Sequence, residues 1–183
     1  MPLENAAFVL FEICAGRLDE ALLEPHIQQH PQAVYALNHQ GQSPLTVALL
    51  ENPRISSVQP LLEAWPAQKM NWAGLPLHHA CTNGAAPEVM QILIDAYPQG
   101  KLQQDNQMRT PLHFYATRNF ANPAQMAANA ELLSDTGAAA LCDRGGMYPI
   151  HYACAYGTDP AVLEVLTKVH PESLTAKENK GKC

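Results

Sequence analysis

Eight histidines and five cysteines are the side chains of this 183-residue chain most able to hold a metal or attack a substrate. Three histidines share a setting: Pro76-Leu77-His78, Pro111-Leu112-His113 and Pro149-Ile150-His151. Cys81 and Cys154 each lie three residues beyond such a histidine. A structural zinc site asks for close cysteine or histidine pairs, and no C-x-x-C occurs. His78 and His79 are neighbours, but adjacent helical residues point about 100° apart and do not chelate together readily. No G-x-S-x-G, phosphate-binding loop or dinucleotide fingerprint is present. Asp and Glu are scattered without recurring pairs, so a two-carboxylate hydrolase has no support. The residues therefore nominate no catalytic group, no cofactor-binding group and no metal ligand, and the chain is read as a non-enzyme.

The elements that position these side chains must come from a chain that is 47% hydrophobic, enough for a continuous core, with a formal net charge of -6. It shows no basic face of the kind a nucleic-acid reader needs, since its one cationic cluster is the tail Lys177, Lys180 and Lys182. The apolar run from Ala6 to Phe11 has no preceding Lys or Arg, so it lacks a signal peptide's positive region. No run approaches a membrane span. An odd number of cysteines without tight spacing suits a reducing compartment, cytoplasmic or nuclear.

Proline exposes the organisation. Twelve of fifteen fall into three recurring positions. Pro44, Pro76, Pro111 and Pro149 are placed to open a first helix, where proline already has the helical φ and its missing N–H costs nothing. Pro53, Pro87, Pro123 and Pro160 open, or shortly precede, a second helix. Pro31, Pro66, Pro98 and Pro171 follow a ring side chain and end that second helix, because the residue before proline avoids the α region. The interval from first to third position is 22 residues in three cases, 44 to 66, 76 to 98 and 149 to 171. Gly84 and Gly157 fall between the paired helices, where a turn needs positive φ. Val89, Ile92, Leu93 and Ala96, like Val162, Val165, Leu166 and Val169, recur at helical spacing, and each such stripe must be buried against a neighbour. The pattern predicts an all-α solenoid.

The stretch Gly74-Leu75-Pro76-Leu77-His78-His79-Ala80-Cys81 resembles the ankyrin signature G-x-T-P-L-H-x-A, as do Thr110-Pro111-Leu112-His113 and Tyr148-Pro149-Ile150-His151-Tyr152-Ala153-Cys154. Asn38-x-x-Gly41, Asn71-x-x-Gly74 and Asp143-x-x-Gly146 look like that family's hairpin. The resemblance implies a degenerate N-terminal capping repeat over residues 1–37 and four repeats across 38–183, at about 38–70, 71–104, 105–142 and 143–178. Residues 178–183 then look like the start of a further repeat, as if the sequence were a segment of a longer protein. In the family the recurrent histidine is bonded within its turn, so His78, His113 and His151 are expected to be structural. Several positions depart from the pattern. Thr46 replaces the histidine, Leu75 and Tyr148 replace the threonine, and Met108 stands in the hairpin glycine position. Pro60 should shorten or bend its helix, and extra residues around Arg118 to Pro123 should lengthen a turn.

The resemblance implies a concave face built from hairpin tips and first helices, on which a partner protein or peptide would bind. The corresponding positions here are Gln40, Gln42, Trp72, Asn106, Gln107, Arg109, Arg118, Arg144, Met147 and Tyr156, a set rich in residue types that favour interface cores. The function expected is a protein-binding scaffold that is a monomer by itself, with no nucleic-acid partner and no membrane insertion. The alternative is a targeting or regulatory module of a longer enzyme, such as a kinase or ubiquitin ligase.

Overall fold

The computed structural model describes residues 2–65, 75–134 and 136–175. These contain helices and turns and no strand. They fall into two compact units, Met1–Tyr97 and Pro98–Cys183.

In the first unit the helices are α1 (Leu3–Cys14), α2 (Leu23–Gln29), α3 (Pro44–Glu51), α4 (Ile55–Ala64), α5 (Pro76–Thr82) and α6 (Pro87–Ala96). They pair in sequence, α1 with α2, α3 with α4 and α5 with α6. The first helices then pack in one row, α1 on α3 on α5, and the second helices in another, α2 on α4 on α6. The second unit holds α7 (Pro111–Ala116), α8 (Pro123–Leu133), the short α9 (Thr136–Ala139), α10 (Pro149–Tyr156) and α11 (Pro160–Val169). Here α7 packs on α10 and α8 on α11. Neither helix of a pair has a private interior, which is the packing of an all-α repeat solenoid.

The proline signals map onto helix starts. Pro44, Pro76, Pro111 and Pro149 are first helical residues, and so are Pro87, Pro123 and Pro160. Pro53 lies two residues before α4. Pro31, Pro98 and Pro171 each begin a single 3-10 turn after a second helix, while Pro66 lies outside the described residues. Gly84 and Gly157 adopt φ of +66° and +65°. The turn between α7 and α8 runs from Thr117 to Asn122, against Gly157 to Asp159 between α10 and α11, so the extra residues do lengthen it.

Two expectations need correcting. Pro60 does not shorten α4, which spans ten residues like α6 and α11; the helix carries it at an interior position, half-buried. The buried stripe of α6 is Val89, Met90, Leu93 and Ile94, with Ile92 and Ala96 only half-buried. A second helix meets both its own partner and the second helix beside it, so its apolar arc is wider than one i, i+3, i+4 line and rotated from it. On α1, Leu3 and Phe8 are 56% and 65% exposed beside Glu4, giving a mixed rather than polar outer face.

Met108 carries a measurable cost. It has φ of +62° where the equivalent Gly41 and Gly146 have +74° and +82°. A side chain in the left-handed region costs about 1–2 kcal/mol, partly offset by the greater entropy glycine loses on folding. Met108 is 43% exposed and leaves little packing to lose. Met108→Gly should therefore raise the unfolding free energy by about 0.5–1 kcal/mol in urea titration. A neutral or destabilised variant would mean that the methionine side chain holds the hairpin.

Candidate functional site

Among the described residues, the candidate surface begins with a loop built three times in one way. Asn38, Asp105 and Asp143 each open a hairpin, and each backbone N–H donates to the carbonyl four residues on, in Gln42, Arg109 and Met147. Each side chain then takes two more N–H groups through one oxygen. Asn38 Oδ1 accepts from Gln40 and Gln42, Asp105 Oδ1 from Gln107 and Arg109, and Asp143 Oδ1 from Gly145 and Met147, all at 2.8–2.9 Å. Short Asn and Asp side chains suit this because they reach the backbone two residues ahead.

The second carboxylate oxygens organise the side chains. Asp105 Oδ2 accepts from Arg109 Nε and Nη2 at 3.0 and 2.7 Å. Burial pushes the Asp105 carboxyl up, but the Arg109 guanidinium and the loop N–H groups outweigh it and hold its pKa below the usual value. The guanidinium also lies 4.4 Å over the Phe114 ring, a cation–π contact. Asp143 Oδ2 accepts from the Tyr152 hydroxyl at 2.7 Å. Burial raises the Asp143 carboxyl while that hydroxyl and the Met147 and Gly145 N–H groups lower it, with a net downward shift. Burial and the same bond push the Tyr152 hydroxyl up to about 12. Tyr152 stacks in turn on Tyr156, at 6.2 Å and 14°, and Tyr156 is 64% exposed.

The recurrent histidines tie this surface to the helices beneath. His113 Nδ1 accepts the Thr110 N–H at 3.0 Å, and its Nε2–H donates to the Met147 carbonyl of the following hairpin at 3.0 Å. His151 Nδ1 accepts the Tyr148 N–H, and its Nε2–H donates to the Ser173 carbonyl. One ring nitrogen accepting and the other donating assigns the neutral tautomer. Burial holds the His113 pKa below its ordinary value. In the first hairpin layer, Ser43 and Thr46 do the capping with hydroxyls, Ser43 Oγ accepting the Thr46 N–H at 3.2 Å.

The sequence-selected residues divide as follows. In the second unit, Gln107 and Arg144 are brought together, the Arg144 N–H donating to the Gln107 carbonyl at 3.0 Å. Asn106, Gln107 and Arg144 are exposed, Met147 and Arg118 half-buried. Arg109 is committed to Asp105 and Phe114. In the first unit, Gln40 is exposed, and Gln42 turns its Oε1 back to accept from Asn38 Nδ2 at 2.9 Å. Trp72 lies outside the described residues. Sequence reasoning passed over Phe114 and Tyr152, although Tyr152 is four residues before Tyr156 and so shares its helix face. It also passed over His26 and His30, four apart, whose rings lie 5.0 Å from each other at the end of α2. His26 Nε2 is taken by the Ala6 carbonyl at 2.7 Å, and among the described residues no group of three or more His, Cys, Asp or Glu is placed to hold a metal. Burial raises the thiols of Cys14, to about 12, and Cys81, which suppresses their thiolates. No helix among the described residues is long and apolar enough to cross a membrane.

A family model described as ankyrin repeats (3 copies) matches residues 77–175, more than half of the chain. Among solved structures, the crystal structure of the human ASB11 ankyrin repeat domain is similar at a TM-score of 0.65 and 21% identity, covering 94% of this chain and 73% of that one. At that identity the likeness speaks for the fold alone. No curated protein matches significantly. Repeats of this kind generally serve as non-catalytic protein–protein interaction modules. The recurring Asp- or Asn-anchored hairpins, the proline-opened helix pairs and the match to the family model lead to one conclusion: the chain belongs to the ankyrin repeat family.

Proposed function

We propose that this chain is a protein-binding scaffold that takes a partner protein or peptide on the face formed by its hairpin tips and first helices, and that it works in the cytoplasm. The observation that carries the proposal is the Tyr152–Tyr156 stack beside the paired hairpin tips of Gln107 and Arg144. A tyrosine 64% exposed but held by a stacked ring presents a large contact area at little entropic cost. Beneath it, bonds from His113 and Asp143 fix the hairpins, so the surface is organised before a partner arrives.

Affinity capture with the wild-type chain and with Tyr156→Ala tests the reading. A residue at the centre of an interface loses about tenfold or more in affinity on truncation, so partners held by the wild type should be depleted by the variant. Retention of every partner by Tyr156→Ala, with an unchanged circular dichroism spectrum, would move the binding surface elsewhere. Arg109→Ala is a poorer probe, because it also releases Asp105 and uncovers Phe114.

A further inference from the structure

Among the described residues of the first unit, the three most exposed large apolar side chains are Phe8, Leu37 and Leu3, and all three line one groove. Its volume is about 380 Å³, within the range of clefts that take a peptide or small ligand. One wall is α1, where Leu3, Ala7 and Phe11 are spaced four apart and form a stripe beside Glu4, Phe8 and Glu12. Ala36 and Leu37, which lead into the Asn38 hairpin, form the other. Leu37 is 62% exposed, comparable with Leu3 and Phe8. Apolar side chains gathered in this way mark a surface that another molecule covers.

Both walls are fixed in advance. The helix α1 packs on α2 and α3, and Asn38 Oδ1 holds the Gln40 and Gln42 N–H groups. Backbone groups are largely spent as well: α1 bonds within itself, and the Ala36 and Asn38 N–H groups donate to the Ala33 and Gln42 carbonyls. The groove therefore reads side chains, which suits an occupant whose own backbone is already bonded, as in a helix.

Charge selects among such occupants. Residues 1–97 hold nine Asp or Glu against three Lys or Arg, which leaves -6, the net charge of the whole chain. On α1, Phe8 stands one turn from Glu4 and one turn from Glu12. Arg17 answers Glu12 at 2.8 Å, whereas Glu4, exposed on the groove wall, has no ion-pair partner among the described residues. His39 is the other titratable side chain lining the groove. A second copy of this unit would bring the same negative charge, and so would an anionic membrane. A cationic partner is favoured over both.

We propose, building on the scaffold reading above, that this groove docks a short amphipathic helix of a partner protein. Two apolar side chains one turn apart enter between α1 and Leu37 and pack on Phe8, and a Lys or Arg beside them meets Glu4. A phage-displayed library of amphipathic helical peptides, selected on the full chain, tests the idea. Enriched sequences are synthesised with a fluorescent label and measured against wild type, Phe8→Ala, Glu4→Lys and Tyr156→Ala. Phe8 and Glu4 are exposed, so their variants should keep the wild-type circular dichroism spectrum.

The expected result is enrichment of net-positive peptides with apolar residues at i and i+4. Their affinity falls about tenfold on Phe8→Ala and is unchanged by Tyr156→Ala. It falls on Glu4→Lys and recovers when the peptide's Lys is exchanged for Glu. Peptides indifferent to Phe8→Ala but weakened by Tyr156→Ala would overturn the groove and leave the scaffold reading standing. Indifference to Glu4→Lys would overturn the cationic preference. A wild type that sediments as a dimer and a Phe8→Ala variant that does not would assign the groove to a second copy instead. Phosphatidylserine vesicles bound by the wild type and released by Phe8→Ala would assign it to a membrane. No enrichment, or peptides indifferent to both Phe8→Ala and Tyr156→Ala, would count against the groove and the scaffold reading together.

Discussion

His113→Ala should lower the unfolding free energy by about 2–4 kcal/mol, because it removes a fully buried ring together with two hydrogen bonds. The Thr110 N–H, also fully buried, would lose its acceptor, and the Met147 carbonyl its donor from the preceding layer. Urea unfolding followed by circular dichroism reads the loss, and hydrogen exchange at Thr110 locates it. A change under about 1 kcal/mol would mean that water replaces both bonds, and the histidine would then not be what joins the two layers. His151→Ala should cost less, since that ring is only half-buried.

The same ring sets a pH dependence. Burial places the folded His113 pKa below the unfolded value of 6.5, so the unfolded chain binds the proton more tightly. This contribution is complete above 6.5 and is lost as the pH falls from there through the folded pKa. Asp105 and Asp143 act in the same direction at lower pH, since their folded values lie below 3.8 and their contribution disappears as the pH drops through them. Acid unfolding should thus begin in mildly acidic buffer, and His113→Ala should lack that first stage while remaining less stable overall.

Local rules explain what could be read ahead of the structure. Proline's φ and missing N–H act on its own helix turn, so Pro44, Pro111 and Pro149 marked helix starts without knowledge of any neighbour. Positive φ at Gly84 and Gly157 is equally local. What escaped depended on which group stands opposite. Met90 and Ile94 are buried because α6 meets α4 as well as its own partner α5, which no single-helix periodicity reveals. Arg109 looked available to a partner, but the Asp105 carboxylate four residues back and the Phe114 ring hold it. Tyr152 went unnoticed although it supports the Tyr156 that was chosen. The candidate surface was legible as positions on a repeat, and its internal bonding was not.

That bonding gives the second large effect. Asp143→Ala should cost about 2–3 kcal/mol, because one carboxylate holds the Gly145 and Met147 N–H groups and the Tyr152 hydroxyl. The loop is half-exposed, so water recovers part of what is lost, which keeps the figure below that of a buried ion. Asp143→Asn separates loop from ring. Asn38 already builds the same hairpin with an amide, its Oδ1 accepting two N–H groups and its Nδ2 donating to Gln42. In Asp143→Asn the loop bonds should survive, while the Tyr152 hydroxyl would face an N–H donor and have to reverse its role, at about 1 kcal/mol. Stability should therefore order as wild type, then Asn, then Ala. Peptide affinity at the tyrosine stack should fall in the same order, since Tyr152 is anchored by this carboxylate and Tyr156 rests on Tyr152. If Asp143→Ala lowered stability yet left affinity intact, the ring pair would be held by its own stacking, and the hairpin would contribute to the fold without organising the face.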